Sequence, residues 1–210
     1  MDQQPAQTHM PEPTRAVAPT TGMRSFAVER QWGQLIGTNI RTFDEQRALV
    51  CFAKQKAFKL KEQITFFHDE AQTKPMFSVR ARNIIDIAAT YDMFDTQGAH
   101  IGSLRRKGLS SAFVQDHWLI LNSQDQEVGS VMEDSALLGI VRRFVDFASY
   151  LLPQTYSVTF SGKDVGEIKQ RKNPFTVKYD YTISEESYKS FPLLILAIPN
   201  LLAIIESRQN

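Results

Sequence analysis

The sequence predicts a mainly β chain, its strands antiparallel in a closed barrel or a sandwich, with one apolar helix at the C-terminal end. Three observations predict it. Short runs with period-two hydrophobicity recur from about Ala48 onward, each bounded by polar turn residues. Three of the resulting hairpins return through the same apolar–Gly–polar–apolar unit, in Ile101-Gly-Ser-Leu104, Val128-Gly-Ser-Val131 and Val165-Gly-Glu-Ile168. Last, Phe191 to Ile205 is apolar on every face, interrupted only by Pro199 and Asn200.

Taken in order, residues 1–25 carry four of the nine prolines (Pro5, Pro11, Pro13, Pro19) and almost no large apolar side chain. Such a stretch cannot bury enough surface to offset its ordering entropy, so it reads as a disordered tail ahead of one domain over 26–210. It has no basic segment followed by an apolar run of signal-peptide length, and Asp2 and Glu12 fit a transit peptide poorly. Lys59 to Phe67 reads as a strand and Met76 to Ala81 as its partner, across the polar connection His68–Lys74. Ala89 to Phe94 turns through Asp95-Thr-Gln-Gly98 into Ala99 to Arg106. Trp118 to Leu121 turns through Asn122–Gln126 into Glu127 to Val131. Tyr156 to Phe160 turns through Ser161–Asp164 into Val165 to Lys169.

A glycine at one fixed place in the return strand marks a bulge, or a point where another backbone comes close. The glycine spacings, 27 and then 37 residues, are uneven, which favours a barrel or sandwich over a solenoid. Ser135 to Leu152 departs from the pattern. Its apolar spacing is helical, Asp134 or Ser135 can cap it, and Pro153 stops it, with two short strands as the competing reading of its second half. The C-terminal run of 15 residues would reach roughly 22 Å as a helix, short of the ~30 Å hydrocarbon core. Asn200 and Pro199 also weaken it as a span, so a helix enclosed by the strands is the favoured reading and a membrane span the alternative.

This order of elements resembles the tubby C-terminal-like superfamily, and within it the LURP-one-related and phospholipid-scramblase-like branch, in its bacterial form. The likeness is carried by Lys56–Phe67, by Tyr91-Asp-Met-Phe-Asp-Thr-Gln-Gly-Ala-His-Ile-Gly-Ser-Leu-Arg-Arg-Lys107, by Val165–Phe175 and by the ending Leu202–Gln209. The resemblance implies a closed antiparallel barrel of about twelve strands around a central hydrophobic C-terminal helix. It also implies binding of phospholipid or association with membranes. Where the scramblases of this branch carry an acidic calcium segment, this chain has Thr182–Ser190, with Glu185 and Glu186 as its carboxylates. Calcium prefers six to eight oxygen ligands, so no metal site is expected there.

Composition narrows the function further. Lys and Arg number 24 against 23 Asp and Glu, a formal net charge of +1, too little for nucleic-acid binding by bulk charge. Cys51 is the one cysteine, which excludes a disulfide framework and points to a reducing, cytoplasmic setting. The four histidines form no ligand spacing, and no nucleophile elbow, phosphate loop or dinucleotide fingerprint occurs, so neither catalysis nor a cofactor is expected. Basic residues are the functional lead. Arg105, Arg106 and Lys107 end one hairpin, Lys169, Arg171 and Lys172 end another, and Arg142 and Arg143 lie between. If equivalent hairpins end on one rim, those first six gather into a patch for anionic phospholipid at the inner membrane face. The competing reading is that they solvate strand edges. A binding module is thus expected, with scramblase-type translocation and a protein scaffold as alternatives.

Overall fold

A computed structural model describes residues 22–31, 38–55, 63–83, 89–107, 117–134, 154–172 and 176–205. Residues 1–21 and the segment 135–152, read above as tail and as helix or strands, lie outside them. The strands are β1 (Met23–Gln31), β2 (Thr38–Phe43), β3 (Leu49–Gln55), β4 (Ile64–Phe67), β5 (Pro75–Asn83) and β6 (Thr90–Phe94). They continue as β7 (His100–Arg106), β8 (His117–Leu121), β9 (Glu127–Glu133), β10 (Thr155–Phe160), β11 (Lys163–Lys172) and β12 (Thr176–Ser184). Each pairs antiparallel with its neighbours in sequence, and β1 closes on β12 from Met23↔Ser184 to Gln31↔Thr176. Closure leaves no strand edge open.

Two helices follow, α1 (Glu185–Ser190) and α2 (Pro192–Ile205). Ser184 caps α1, its Oγ accepting the Ser187 N–H at 3.3 Å. A barrel of about eight strands can be filled by its own side chains, whereas twelve leave a lumen that needs a further element. Helix α2 fills it, and every residue from Leu194 to Ile205 is buried. This is the all-round apolar helix enclosed by strands that the sequence favours. Its one polar side chain is satisfied inside: Asn200 Nδ2 donates to the Leu196 carbonyl at 2.7 Å, and Thr42 Oγ1 of β2 donates to Asn200 Oδ1 at 3.0 Å. Pro192 opens the helix where an N–H has no partner to lose.

The barrel begins earlier than period two suggests. Strand β1 starts at Met23, inside the stretch assigned to the tail, and β2 precedes Ala48. Phe26 and Val28 of β1 are core residues, but Arg30 shares their buried row, which shortens the apolar signal to two residues.

The three glycines of the repeated unit sit beside β-bulges. The unpaired residue is Ile101 between the pairs Met93↔Gly102 and Phe94↔His100, Val128 between Ile120↔Gly129 and Leu121↔Glu127, and Val165 between Val158↔Gly166 and Thr159↔Asp164. Both readings of the glycine hold together. A Cβ on Gly102, Gly129 or Gly166 would stand 2.6, 2.2 or 2.3 Å from the carbonyl oxygen of Leu121, Thr159 or Thr182 on the next strand. The same bulge occurs in two further hairpins without glycine, at Val50 and at Met76. All five bulged residues are apolar and belong to, or pack against, the core.

Candidate functional site

Odd-numbered strands run one way round the barrel and even-numbered strands the other, so β7 and β11 end at the same end. The ends of β7 and β11 that carry the sequence-predicted basic residues therefore share a rim, but three strands (β8, β9, β10) separate the two groups. At ~4.8 Å per strand the groups stand about 19 Å apart along the sheet, two flanks rather than one cluster.

Each side chain has its own surroundings. Arg105 projects from the end of β7, and Arg106 lies over the Trp118 ring with its guanidinium carbon 5.7 Å from the centroid. The Arg106 N–H donates to the Ala89 carbonyl at 2.9 Å and the Lys107 N–H to the His117 carbonyl at 2.8 Å, which fixes the strand end that carries them. Lys169 pairs with Glu167 at 2.8 Å, and Arg171 pairs with Asp180. Lys172 is the last residue of β11. Lys54 stands one residue before the end of β3 on this same rim, so among the described residues three strands, β3, β7 and β11, carry exposed basic residues at or just after their ends there, whereas Arg30 near the end of β1 is buried and Arg82 of β5 turns to Asp92 and Asp125. Glu133 at the end of β9 and Asp134 after it are acidic residues on this rim. Arg142 and Arg143 lie outside the described residues.

The opposite end is acidic. Its tight turns and strand starts hold Asp44, Glu45, Asp69, Glu70, Asp95, Asp125 and Asp164, and α1 adds Glu185 and Glu186, which together outnumber Arg24, Arg47, Lys74, Lys163 and Lys189 at the same end. Four of its turns close in one way, with a side-chain oxygen of Asp44, Asp69, Asp95 or Asn122 accepting a backbone N–H four residues on. That local bond is why Asp and Asn occupy these turns. Glu185 is engaged by Arg24, whose Nε and Nη2 donate to its two carboxylate oxygens at 2.8 and 3.0 Å.

A polar cluster on the outer wall escaped the sequence reading. Arg82 Nη2 donates to Asp92 Oδ1 at 2.7 Å, and its Nε to Asp92 Oδ2 at 2.9 Å. Arg82 also reaches Asp125 Oδ1 at 2.8 Å and Oδ2 at 2.9 Å. Ser103 Oγ donates to Asp92 Oδ1 at 2.7 Å, and His100 Nε2 lies 3.0 Å from Ser103 Oγ. Burial pulls the Asp92 carboxyl up, but the hydrogen bonds from Arg82 and Ser103 and the Arg82 charge outweigh it and hold it below the usual range. Ser, His and Asp meet here without forming a nucleophile relay. The Ser103 proton points to the carboxylate rather than to an imidazole, and Ser103 is fully buried. The cluster instead ties β5, β6 and β7 to the β8–β9 turn. Its sequence signal was a lone carboxylate between Tyr91 and Met93 in an otherwise apolar strand. Cys51 is buried in the core, and burial pushes its thiol up to about 12, which keeps it un-ionised at neutral pH.

The family model described as LURP-one-related matches residues 49–198, from the start of β3 into α2. The chain belongs to the LURP-one-related family. No curated protein and no solved structure matches it. The family match covers the four hairpins β4–β5 to β10–β11 and reaches into the lumen helix, so the LURP-one-related barrel includes both the basic strand ends and the outer-wall cluster.

Proposed function

We propose that this LURP-one-related barrel is a non-enzymatic binding module that docks on an anionic phospholipid surface through its basic rim. The observation that carries the reading is the imbalance of charge between the two ends of the barrel: an excess of acidic residues at the tight turns, an excess of basic residues at the opposite strand ends. Near an anionic surface each exposed Lys or Arg contributes about 1 kcal/mol, so two basic flanks on one rim would both hold and orient the barrel. The two flanks suit an extended surface better than a single headgroup. Membrane insertion of α2, which scramblase-type translocation would require, would strip its buried residues of the barrel wall. Among the described residues no helix is long and apolar enough to cross a membrane, which favours docking over insertion.

The test is co-sedimentation of the full chain with phosphatidylcholine vesicles, with and without phosphatidylserine. Binding should require phosphatidylserine and be released by salt. Neutralising Arg105, Arg106, Lys107, Lys169, Arg171 and Lys172 to glutamine should abolish it, whereas neutralising Asp44 and Glu45 should not weaken it. Unchanged binding by the six-residue variant overturns the reading, and retention through high salt and carbonate would favour insertion.

A further inference from the structure

A second site lies away from the basic rim, beside the β6–β7 turn. A cleft of about 380 Å³ is bounded by Gln63, Ser78, Arg80, Phe94 and the turn Asp95–Gly98. That volume falls within the range of small-ligand sites. Strand register builds it. Ser78 pairs with Thr65 on one side and with Phe94 on the other, and forms the floor. Gln63 stands one position beyond the Ile64↔Val79 pair, next to Arg80.

Arg80 is unlike the ion-paired arginines of the outer surface. Arg24, Arg41, Arg47 and Arg82 each meet a carboxylate at 3.0 Å or less. Among the described residues Arg80 has no such partner. It lies instead over Phe94, with the guanidinium carbon 5.1 Å from the ring centroid. Stacking on a ring face holds a guanidinium plane in place and leaves its in-plane N–H donors pointing outward, the geometry that grips a carboxylate through two parallel bonds. The Ser78 hydroxyl and the side-chain amides of Gln63 and Gln97 likewise have no protein hydrogen-bond partner among the described residues, and supply further donors around the fork. The facing wall carries Asp95, whose Oδ1 accepts the N–H groups of Gln97 and Ala99 at 2.9 and 2.8 Å. A fixed negative charge there disfavours a doubly charged phosphate more than a singly charged carboxylate.

We propose that this cleft binds a small organic carboxylate, with its carboxylate on the donor edge of Arg80. The proposal is independent of docking through the basic rim. Titration of the isotope-labelled full chain with sodium benzoate and with inorganic phosphate, read by backbone amide NMR, tests it. Benzoate should shift the amides of Ser78, Arg80, Phe94 and Thr96–Gly98 and bind more tightly than phosphate. Arg80→Gln should weaken benzoate roughly tenfold, the usual loss with one charge-assisted pair. Arg80→Lys, which keeps the charge without the fork, should fall between the two. Arg80 is exposed and lies over Phe94, so these variants are expected to fold, as an otherwise unchanged spectrum would verify. Absence of benzoate shifts, equal affinity in Arg80→Gln, or phosphate binding as tightly as benzoate would each overturn the proposal.

Discussion

The hairpins of the first and second halves of the barrel are built on one plan with one difference. In β2–β3 and β4–β5 the residue after the bulge is Cys51 or Phe77, a buried side chain that fills the core. In β6–β7, β8–β9 and β10–β11 it is Gly102, Gly129 or Gly166, with the next strand's carbonyl where a side chain would begin. The bulge is present in all five. The bulge and its apolar residue therefore come from the turn and the strand spacing, and glycine records only how closely the neighbouring backbone passes. In the first half, two consecutive residues of the return strand enter the core; in the second, one residue and a backbone share that space.

The largest expected effect comes from forcing the second half to resemble the first. Gly129→Ala places a Cβ 2.2 Å from the Thr159 carbonyl oxygen, and backbone cannot swing aside as a side-chain end can. The β9–β10 seam would have to open, and a cost of about 3 kcal/mol is expected in urea unfolding. Gly98→Ala is the matched control. Its φ is +83° but nothing lies within 4 Å of the added Cβ, so only the left-handed backbone conformation resists, at about 1 kcal/mol. Gly129 has no positive φ, so a loss there no larger than at Gly98 would show that the seam yields to the added Cβ and that close approach does not explain the glycine.

The same comparison accounts for what was legible in the sequence. The three glycine hairpins were readable because the close approach leaves a residue type as its trace, and because Asp95 and Asn122 advertise their turns. The bulges at Val50 and Met76 left no such trace, since any apolar residue satisfies them. Strands β1 and β2 were hidden for a different reason: their buried rows include Arg30 and Thr42, the latter polar because it answers Asn200 across the lumen. Polar residues with long-range partners look like surface to any local pattern. For that reason the Arg82–Asp92–Ser103 cluster also escaped, whereas the basic strand ends, a purely local feature, did not. Their separation into two flanks depended on strand order, which no residue pattern contains.

The converse substitution, making the first half resemble the second, should be milder. Cys51→Gly removes a fully buried side chain and gives the unfolded chain more conformational freedom to lose on folding, a loss of about 2 kcal/mol. No neighbouring carbonyl needs the space, so the change brings no compensating relief. A stabilised Cys51→Gly variant would mean that glycine favours the bulge itself, and the distinction between the two halves would collapse.

The turns give the smallest effect and separate Asp from Asn. In the β4–β5 turn, Asp69 accepts the Thr73 hydroxyl at 2.6 Å and the Thr73 N–H at 2.8 Å. The Thr73 side-chain bond, with the backbone bond behind it, holds the Asp69 carboxyl below its usual value of 3.8. A carboxyl whose pKa is lower folded than unfolded contributes stability that is present above the unfolded value and lost as pH falls through the folded one. The β8–β9 turn makes the equivalent backbone bond, 3.0 Å from the Gln126 N–H, through Asn122, which does not titrate. Asp69→Asn should therefore flatten the decline of stability on acidification below about pH 4 at a small loss near neutrality, because asparagine keeps an acceptor for the Thr73 N–H but loses the charge and the second oxygen that accepts the Thr73 hydroxyl. Melting temperatures of the two proteins across that range decide the point. Parallel curves would place the acid sensitivity elsewhere, with the buried Asp92 carboxylate the next group to substitute.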